Sequence, residues 1–241
     1  MTESVRLSKR LAELVQCSRR EAEQYIEGGW VLVDGQVVEE QGARVLPGQR
    51  VELMPQASLV PIEPVTILLH KPPGYDADSG ANAVTQLITP DNLSPDDRSG
   101  IRFLKRHLAG QTLACPLEPN ASGLLVFTQD WRIARKLIDD AAKIEQEYVV
   151  EVAGELMPDG LKRLNHGLSL YGRPLPPIKV SWQNETRLRF ALKAPQSGQI
   201  TRMCEMVGLK VLAIKRIRIG RVPMAGLQVG QWRYLLPYER F

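Results

Sequence analysis

The stretch Ala114-Cys115-Pro116-Leu117-Glu118-Pro119-Asn120-Ala121-Ser122-Gly123-Leu124-Leu125-Val126-Phe127-Thr128 changes character halfway. Its first half holds two prolines, an asparagine and one acid. Its second half carries the apolar run Leu124 to Phe127. A short apolar run of this kind is consistent with a buried central strand. Asp130 then caps a helix with Ile133, Ala134, Leu137 and Ile138 on its inner side. Glu118 therefore sits on a loop entering a buried strand. Pro116 and Pro119 bracket it and stiffen its backbone, because proline fixes φ. Loops held on rigid scaffolds are where reactive groups concentrate, so Glu118 is the first candidate for chemistry.

Working outward, Ile67-Leu68-Leu69 reads as another buried strand, ending in His70-Lys71-Pro72-Pro73-Gly74-Tyr75. The segment from Asp76 to Gly100 reads as loop with one short helix near Val84 to Leu87. Downstream, Glu147-Tyr148-Val149-Val150-Glu151-Val152 alternates as a strand does, with Tyr148, Val150 and Val152 on one face. Ile214-Lys215-Arg216-Ile217-Arg218-Ile219 also alternates, which places Arg216 and Arg218 on one side of a strand. Met54 to Pro64, rich in proline and polar residues, reads as a hinge. The expected fold is α+β: a small N-terminal helix–hairpin module over 1–53, a linker over 54–64, and a larger domain over 65–241. That domain is expected to hold a mixed, mostly antiparallel sheet flanked by helices.

In the first fifty residues, Leu7, Leu11, Leu14 and Val15 fall on one stripe of an amphipathic helix. Ser18 and Glu21 have the spacing of a capping box, opening a second helix with Ala22, Tyr25 and Ile26 inside and Gly28-Gly29 at its end. Val31-Leu32-Val33, the Asp34-Gly35 turn and Val37-Val38 form a hairpin, and Val51-Glu52-Leu53 a closing strand. Arg19 and Arg20 occupy the first turn of the second helix, where the helix dipole disfavours cations. Two arginines placed there point to an anion such as phosphate. Five cations, Arg6, Lys9, Arg10, Arg19 and Arg20, face two acids, Glu3 and Glu13, in the first twenty residues.

The 241 residues carry 31 Lys and Arg against 27 Asp and Glu, a net charge of +4. The charge is uneven: Gln196 to Phe241 contains eight Lys and Arg and two acids. A basic segment on a near-neutral chain points to a polyanion-binding face. Three scattered cysteines and three scattered histidines fit reduced thiols in a cytoplasmic protein and argue against a disulfide framework or a metal site. No apolar run reaches the length of a membrane span. Met1 to Arg6 lacks the apolar core of a secretory signal. No recognition-helix pattern with a dimerisation element supports a DNA-binding regulator, and the default oligomeric state is a monomer.

Several of these segments resemble the bacterial rRNA pseudouridine synthases. In that family the first stretch reads Gly-Arg-Leu-Asp, three variable residues, a Glu or Ser-like position and then Gly-Leu-Leu, and its catalytic aspartate falls on Glu118. The family's Asn-Lys-Pro-x-Gly is similar to His70-Lys71-Pro72-Pro73-Gly74, and its Lys-Glu-Tyr to Gln146-Glu147-Tyr148. Its Asn-Arg-Gln-Ile-Arg-Arg-Met-Cys corresponds to Ser197-Gly198-Gln199-Ile200-Thr201-Arg202-Met203-Cys204. Gly226 and Gly230-Gln231-Trp232-Arg233 match its closing Gly-x-x-x-Gly-x-Trp-Arg. The first fifty residues resemble the small RNA-binding module named after ribosomal protein S-four.

The resemblance implies an isomerase, acting without cofactor or metal on rRNA, with the large-subunit branch the closest. It assigns catalysis to Glu118, Tyr148 and Arg202, with Tyr148 stacking on the target uracil. Arg6, Lys9, Arg10, Arg19 and Arg20 would grip the RNA backbone, joined by Lys71, Arg216 and Arg218. The departures lie at one site. Glu118 is one methylene longer than Asp; Pro116, Gly198 and Thr201 stand where the family has arginines. Thr201 offers a hydroxyl but no charge, and Arg202 or Arg216 is left to reach the carboxylate. Two readings follow: a synthase rebuilt around a longer acid, or a catalytically inactive rRNA-binding member of the family acting in ribosome assembly.

Overall fold

The computed structural model describes residues 4–77 and 80–241. Glu3, one of the two acids weighed against the N-terminal cations, and part of the loop expected from Asp76 onward lie outside them. The chain divides into two compact units, Met1–Pro64 with Arg102–Gly110, and Val65–Ile101 with Gln111–Phe241.

In the first unit β1 (Val5–Arg6) leads into α1 (Leu7–Val15), followed by α2 (Arg19–Glu27), β2 (Val31–Val33), β3 (Gln36–Val37), β4 (Arg44–Val45) and β5 (Val51–Leu53). The capping box forms: the Ser18 amide donates to Glu21 Oε2 at 2.7 Å and the Glu21 amide to Ser18 Oγ at 3.2 Å. Strands β3, β2 and β5 pair in that order, and β1 pairs with β4. Leu7, Leu11, Ala22, Ile26, Val31, Val33 and Val45 form the core. Leu14, expected on the buried stripe, is 54% exposed, while Leu7 and Leu11 lie in the core and Val15 packs against it. Arg102–Gly110 belongs to this unit through side chains. The Arg102 guanidinium lies 4.0 Å above the Trp30 ring, and Arg106 pairs with Glu27 at 2.7 Å and Lys105 with Glu40 at 2.8 Å.

The second unit begins with β6 (Thr66–Lys71), a 3-10 turn at Val84–Leu87 and β7 (Thr112–Ala114). It continues with β8 (Ser122–Thr128), α3 (Trp131–Ile138), β9 (Glu145–Gly154) and α4 (Gly160–Asn165). The hairpin β10 (Ser169–Leu170) and β11 (Arg173–Pro174), then β12 (Lys179–Trp182), β13 (Arg187–Lys193) and α5 (Gln199–Glu205) follow. Last come β14 (Leu209–Ile219), β15 (Val222–Pro223) and β16 (Trp232–Tyr234). Among the described residues nine of these strands form one sheet, with the path β12-β13-β9-β14-β8-β6-β16 and β7 and β15 at its side. Every pairing in it is antiparallel except β14 with β8. This is the mixed, mostly antiparallel sheet expected of the sequence. Strand β6 is buried along its whole length and β8 from Gly123 to Thr128, the pattern of strands covered on both faces.

Two packing details place the functional residues. Gly123 has φ of 110° and pairs with Arg216 across the parallel seam. A Cβ there would overlap the Arg216 backbone, so only glycine lets β14 approach this closely. Between Arg216 and Arg218 the register on β9 slips: Arg216 pairs with Tyr148, but Arg218 pairs with Glu147. Tyr148 and Glu147 are consecutive and point to opposite faces. The expectation that Arg216 and Arg218 share one side is therefore corrected; a β-bulge at Ile217 turns them to opposite faces.

Candidate active site

Glu118 opens a β-turn, its carbonyl accepting from the Ala121 amide at 3.0 Å. Pro119 takes the second position, where proline's fixed φ suits such turns. Two buried cations hold the loop. The Lys71 ammonium donates to the carbonyls of Pro119 at 2.7 Å, Ala121 at 2.8 Å and Pro72 at 3.0 Å. The Arg216 guanidinium donates to the Leu124 carbonyl at 2.7 and 2.9 Å and also to the Cys115 carbonyl. Cys115 itself has φ of 55°, the left-handed region that non-glycine residues rarely enter. The hydrogen bond from Arg216 holds its peptide there. Both ends of the loop are thus tied to cations of the sheet, Lys71 on β6 and Arg216 on β14.

The loop forms one wall of a cavity of about 560 Å³. The segment from Ala194 to Thr201 lies opposite, and Leu137, Ile138 and Ala141 close another side. Ile138, expected inside the helix's packed face, is half-exposed because it faces this cavity. The Glu118 carboxylate accepts from Ser197 Oγ at 3.1 Å and from the Gly198 amide. The segment that resembles an arginine-bearing family motif therefore holds the acid by a hydroxyl and a backbone amide. Among the described residues no Lys, Arg or His forms an ion pair with Glu118. On the cavity's sheet side, Tyr148 and Arg216 are both buried. The Tyr148 hydroxyl donates to Gln146 Oε1 at 2.7 Å, and Arg216 Nη1 reaches the same oxygen at 3.1 Å. No carboxylate pairs with Arg216 among the described residues; its positive charge is held by carbonyl and amide oxygens and by the Tyr148 ring, 6.0 Å from the guanidinium carbon. Burial pushes the Cys115 thiol up, with the nearby Arg216 charge opposing that shift.

The structure brings Glu118, Tyr148 and Arg216 together and leaves Arg202 out. Arg202 lines a separate depression with Leu170, Tyr171, Glu205 and Met206, and pairs with Glu205 at 3.6 Å. On α5, Thr201 faces the cavity and the next residue turns away from it. Lys71 is fully buried, so it positions the loop instead of presenting a surface contact. Arg218 is engaged with Glu145 at 2.7 Å and Glu147 at 3.0 Å. In the first unit Arg6, Lys9 and Arg19 line one groove, together with Arg44, which no sequence pattern singled out. Arg10 and Arg20 are exposed but outside that groove. Ser197, Gly198 and Gln146 were not candidates either. Ser197 and Gly198 sit where the resemblance registers losses, and the contact they make spans about eighty residues of sequence.

Comparisons with known proteins agree on both units. A family model described as the S4 domain matches residues 5–51. The dual-specificity RNA pseudouridine synthase RluF of Escherichia coli is 30% identical over 242 residues, spanning 98% of this chain and 77% of that protein. Ribosomal large subunit pseudouridine synthase B of Bacillus subtilis is 29% identical over 246 residues, 97% of this chain and 93% of its own length. A crystal structure of a pseudouridylate synthase superposes with a TM-score of 0.61 at 21% identity, covering 96% of each chain, which is a likeness of fold.

Proposed function

The chain belongs to the RNA pseudouridine synthase family, and we propose that it isomerises a uridine of large-subunit ribosomal RNA to pseudouridine with Glu118 as the reacting carboxylate. The reaction breaks the bond from ribose to uracil nitrogen, turns the base over and joins it through carbon 5, whose proton leaves to solvent. The uridine must first leave its stack and enter a pocket. The 560 Å³ cavity accepts it, with Tyr148 as the aromatic wall. Glu118 attacks the sugar or takes a proton from it. Arg216, a buried cation without a carboxylate partner among the described residues, favours an anion in the same cavity. It also braces both ends of the loop that carries Glu118.

One observation carries this reading. The Glu118 carboxylate is held at the cavity wall by Ser197 and Gly198, in a space it shares with Tyr148 and Arg216. The longer side chain has its own cradle, fitted to its length. Arg6, Lys9, Arg10, Arg19 and Arg20 of the N-terminal unit grip phosphates, which position a protein without reading sequence. The reading places the protein in the cytoplasm as a monomer, with rRNA as its partner.

The test is a pseudouridine map of large-subunit rRNA from cells with and without the gene, followed by complementation. The proposal expects a position that loses pseudouridine on deletion and regains it with the unaltered chain but not with Glu118→Ala. Restoration by Glu118→Ala would remove Glu118 from the chemistry. An unchanged map would leave the chain an rRNA-binding member of the family, acting in ribosome assembly.

A further inference from the structure

The outer face of α3 has no place in the chemistry above, yet it is built unlike an ordinary solvated helix face. Trp131, of a residue type that is highly buried on average, is 66% exposed. It lies in a depression of about 370 Å³ lined by Arg132, Arg135, Lys136, Lys143, Asp140 and Ile144. The Arg132 guanidinium stands 5.9 Å from the Trp131 ring centre. Asp140, the only carboxylate on that lining, is taken up by Lys143 at 2.7 Å. Arg135 and Lys136 are exposed. A large aromatic face among cations is the composition of a surface that stacks bases and tracks a phosphate backbone.

The same elements form the cavity wall. Leu137 and Ile138 of α3 and Ala141 of the following turn line the space that holds Glu118. Trp131, Arg135 and Lys136 of the same helix line the neighbouring depression. Resting on the reading of that cavity given above, we propose that the outer face of α3 binds the RNA strand next to the uridine in the cavity. Trp131 stacks on a neighbouring base, and Arg132, Arg135 and Lys136 hold its phosphates. Charge complementarity and continuity with the cavity select this occupant. An acidic peptide has the charge but not the row of planar bases that an exposed tryptophan receives.

The probe is an in vitro transcript of large-subunit rRNA, unmodified because no modifying enzyme has met it. Its affinity is measured for the unaltered chain, Trp131→Ala, Trp131→Phe and the pair Arg135→Glu with Lys136→Glu, alongside tritium release from its uracil carbon 5. Trp131→Ala is expected to weaken binding and raise KM about tenfold, the usual worth of one stacked base, with kcat at saturating RNA unchanged. Trp131→Phe keeps most of the affinity. The double charge reversal weakens binding further and lowers its salt dependence. Because these side chains are exposed, the thermal midpoint stays within a degree or so of the unaltered chain. Wild-type affinity in Trp131→Ala overturns the inference, whether or not tritium is released. So does failure of the unaltered chain to bind the transcript, or equal competition by duplex DNA of the same length. Binding that depends on Trp131 without tritium release supports the surface and overturns the isomerase reading alone.

Discussion

Opposite faces of the β9–β14 pair treat charge in opposite ways. On one face Arg218 is paired with Glu145 and Glu147, and Arg189 joins Glu147 at 2.6 Å. These partners hold the Glu147 carboxyl at about 2, well below its usual range, with Arg218 the main cause. On the other face, across the bulge at Ile217, Arg216 is buried with no carboxylate partner, and Glu118 shares its cavity with no cation partner among the described residues. A buried charge left without a counter-ion costs stability, and in this strand pair it stands on the cavity side. Paired charges tie the strands on one face; on the other, under the proposal above, Arg216 and Glu118 meet the uridine.

The sharpest way to break this contrast is Arg216→Met. It leaves the carbonyls of Cys115 and Leu124 without their donor, so it should lower stability by roughly 2–4 kcal/mol and abolish tritium release. Urea unfolding and the release assay measure the two effects. Unchanged unfolding would mean that Arg216 does not brace the loop. Next in size, Glu118→Asp should cut release about a hundredfold by moving the carboxylate about an ångström from its cradle, with the urea midpoint unmoved. Faster release from Glu118→Asp would show that the cradle of Ser197 and Gly198 is not fitted to the longer acid.

On the paired face, Arg218→Gln should cost about 1 kcal/mol while release stays at the unaltered rate. A large loss of release there would erase the distinction between the faces. The smallest effect is in pH. A carboxyl whose folded pKa is depressed stabilises the fold above its ordinary pKa, and that stability is lost as pH falls through the folded value. Glu147 therefore contributes above its ordinary 4.5 and loses its contribution between there and about 2. Glu147→Gln should be less stable near neutrality and flatter across that acid window in urea titrations. Parallel curves for the two proteins would remove Glu147 from the acid response.

What the sequence made legible was local. The β8 run, the Ser18–Glu21 box and the turn at Val84–Leu87 all depend on neighbours within a few residues, and they stand where expected. The long-range features were hidden for physical reasons. The bulge adds one residue to β14 without disturbing its alternation of charge and apolar groups, so Arg216 and Arg218 looked equivalent. The excess of cations after Gln196 looked like a polyanion face. Yet Arg202, Arg218 and Arg233 are paired with acids, and Arg216 is buried on carbonyls. Lys71 looked like a surface contact because burial of an ammonium among three carbonyls leaves no local trace. The departures at Gly198 and Thr201 marked what is missing from the site, while the hydroxyl and amide that hold Glu118 come from the same segment.

The most direct test of the central claim is single-turnover tritium release from carbon 5 of uracil in unmodified large-subunit rRNA, with the unaltered chain and with Glu118→Ala at matched RNA occupancy. The account predicts release by the unaltered chain and none by Glu118→Ala, with RNA affinity equal in both. Release by Glu118→Ala, or none by the unaltered chain bound to RNA, would contradict it.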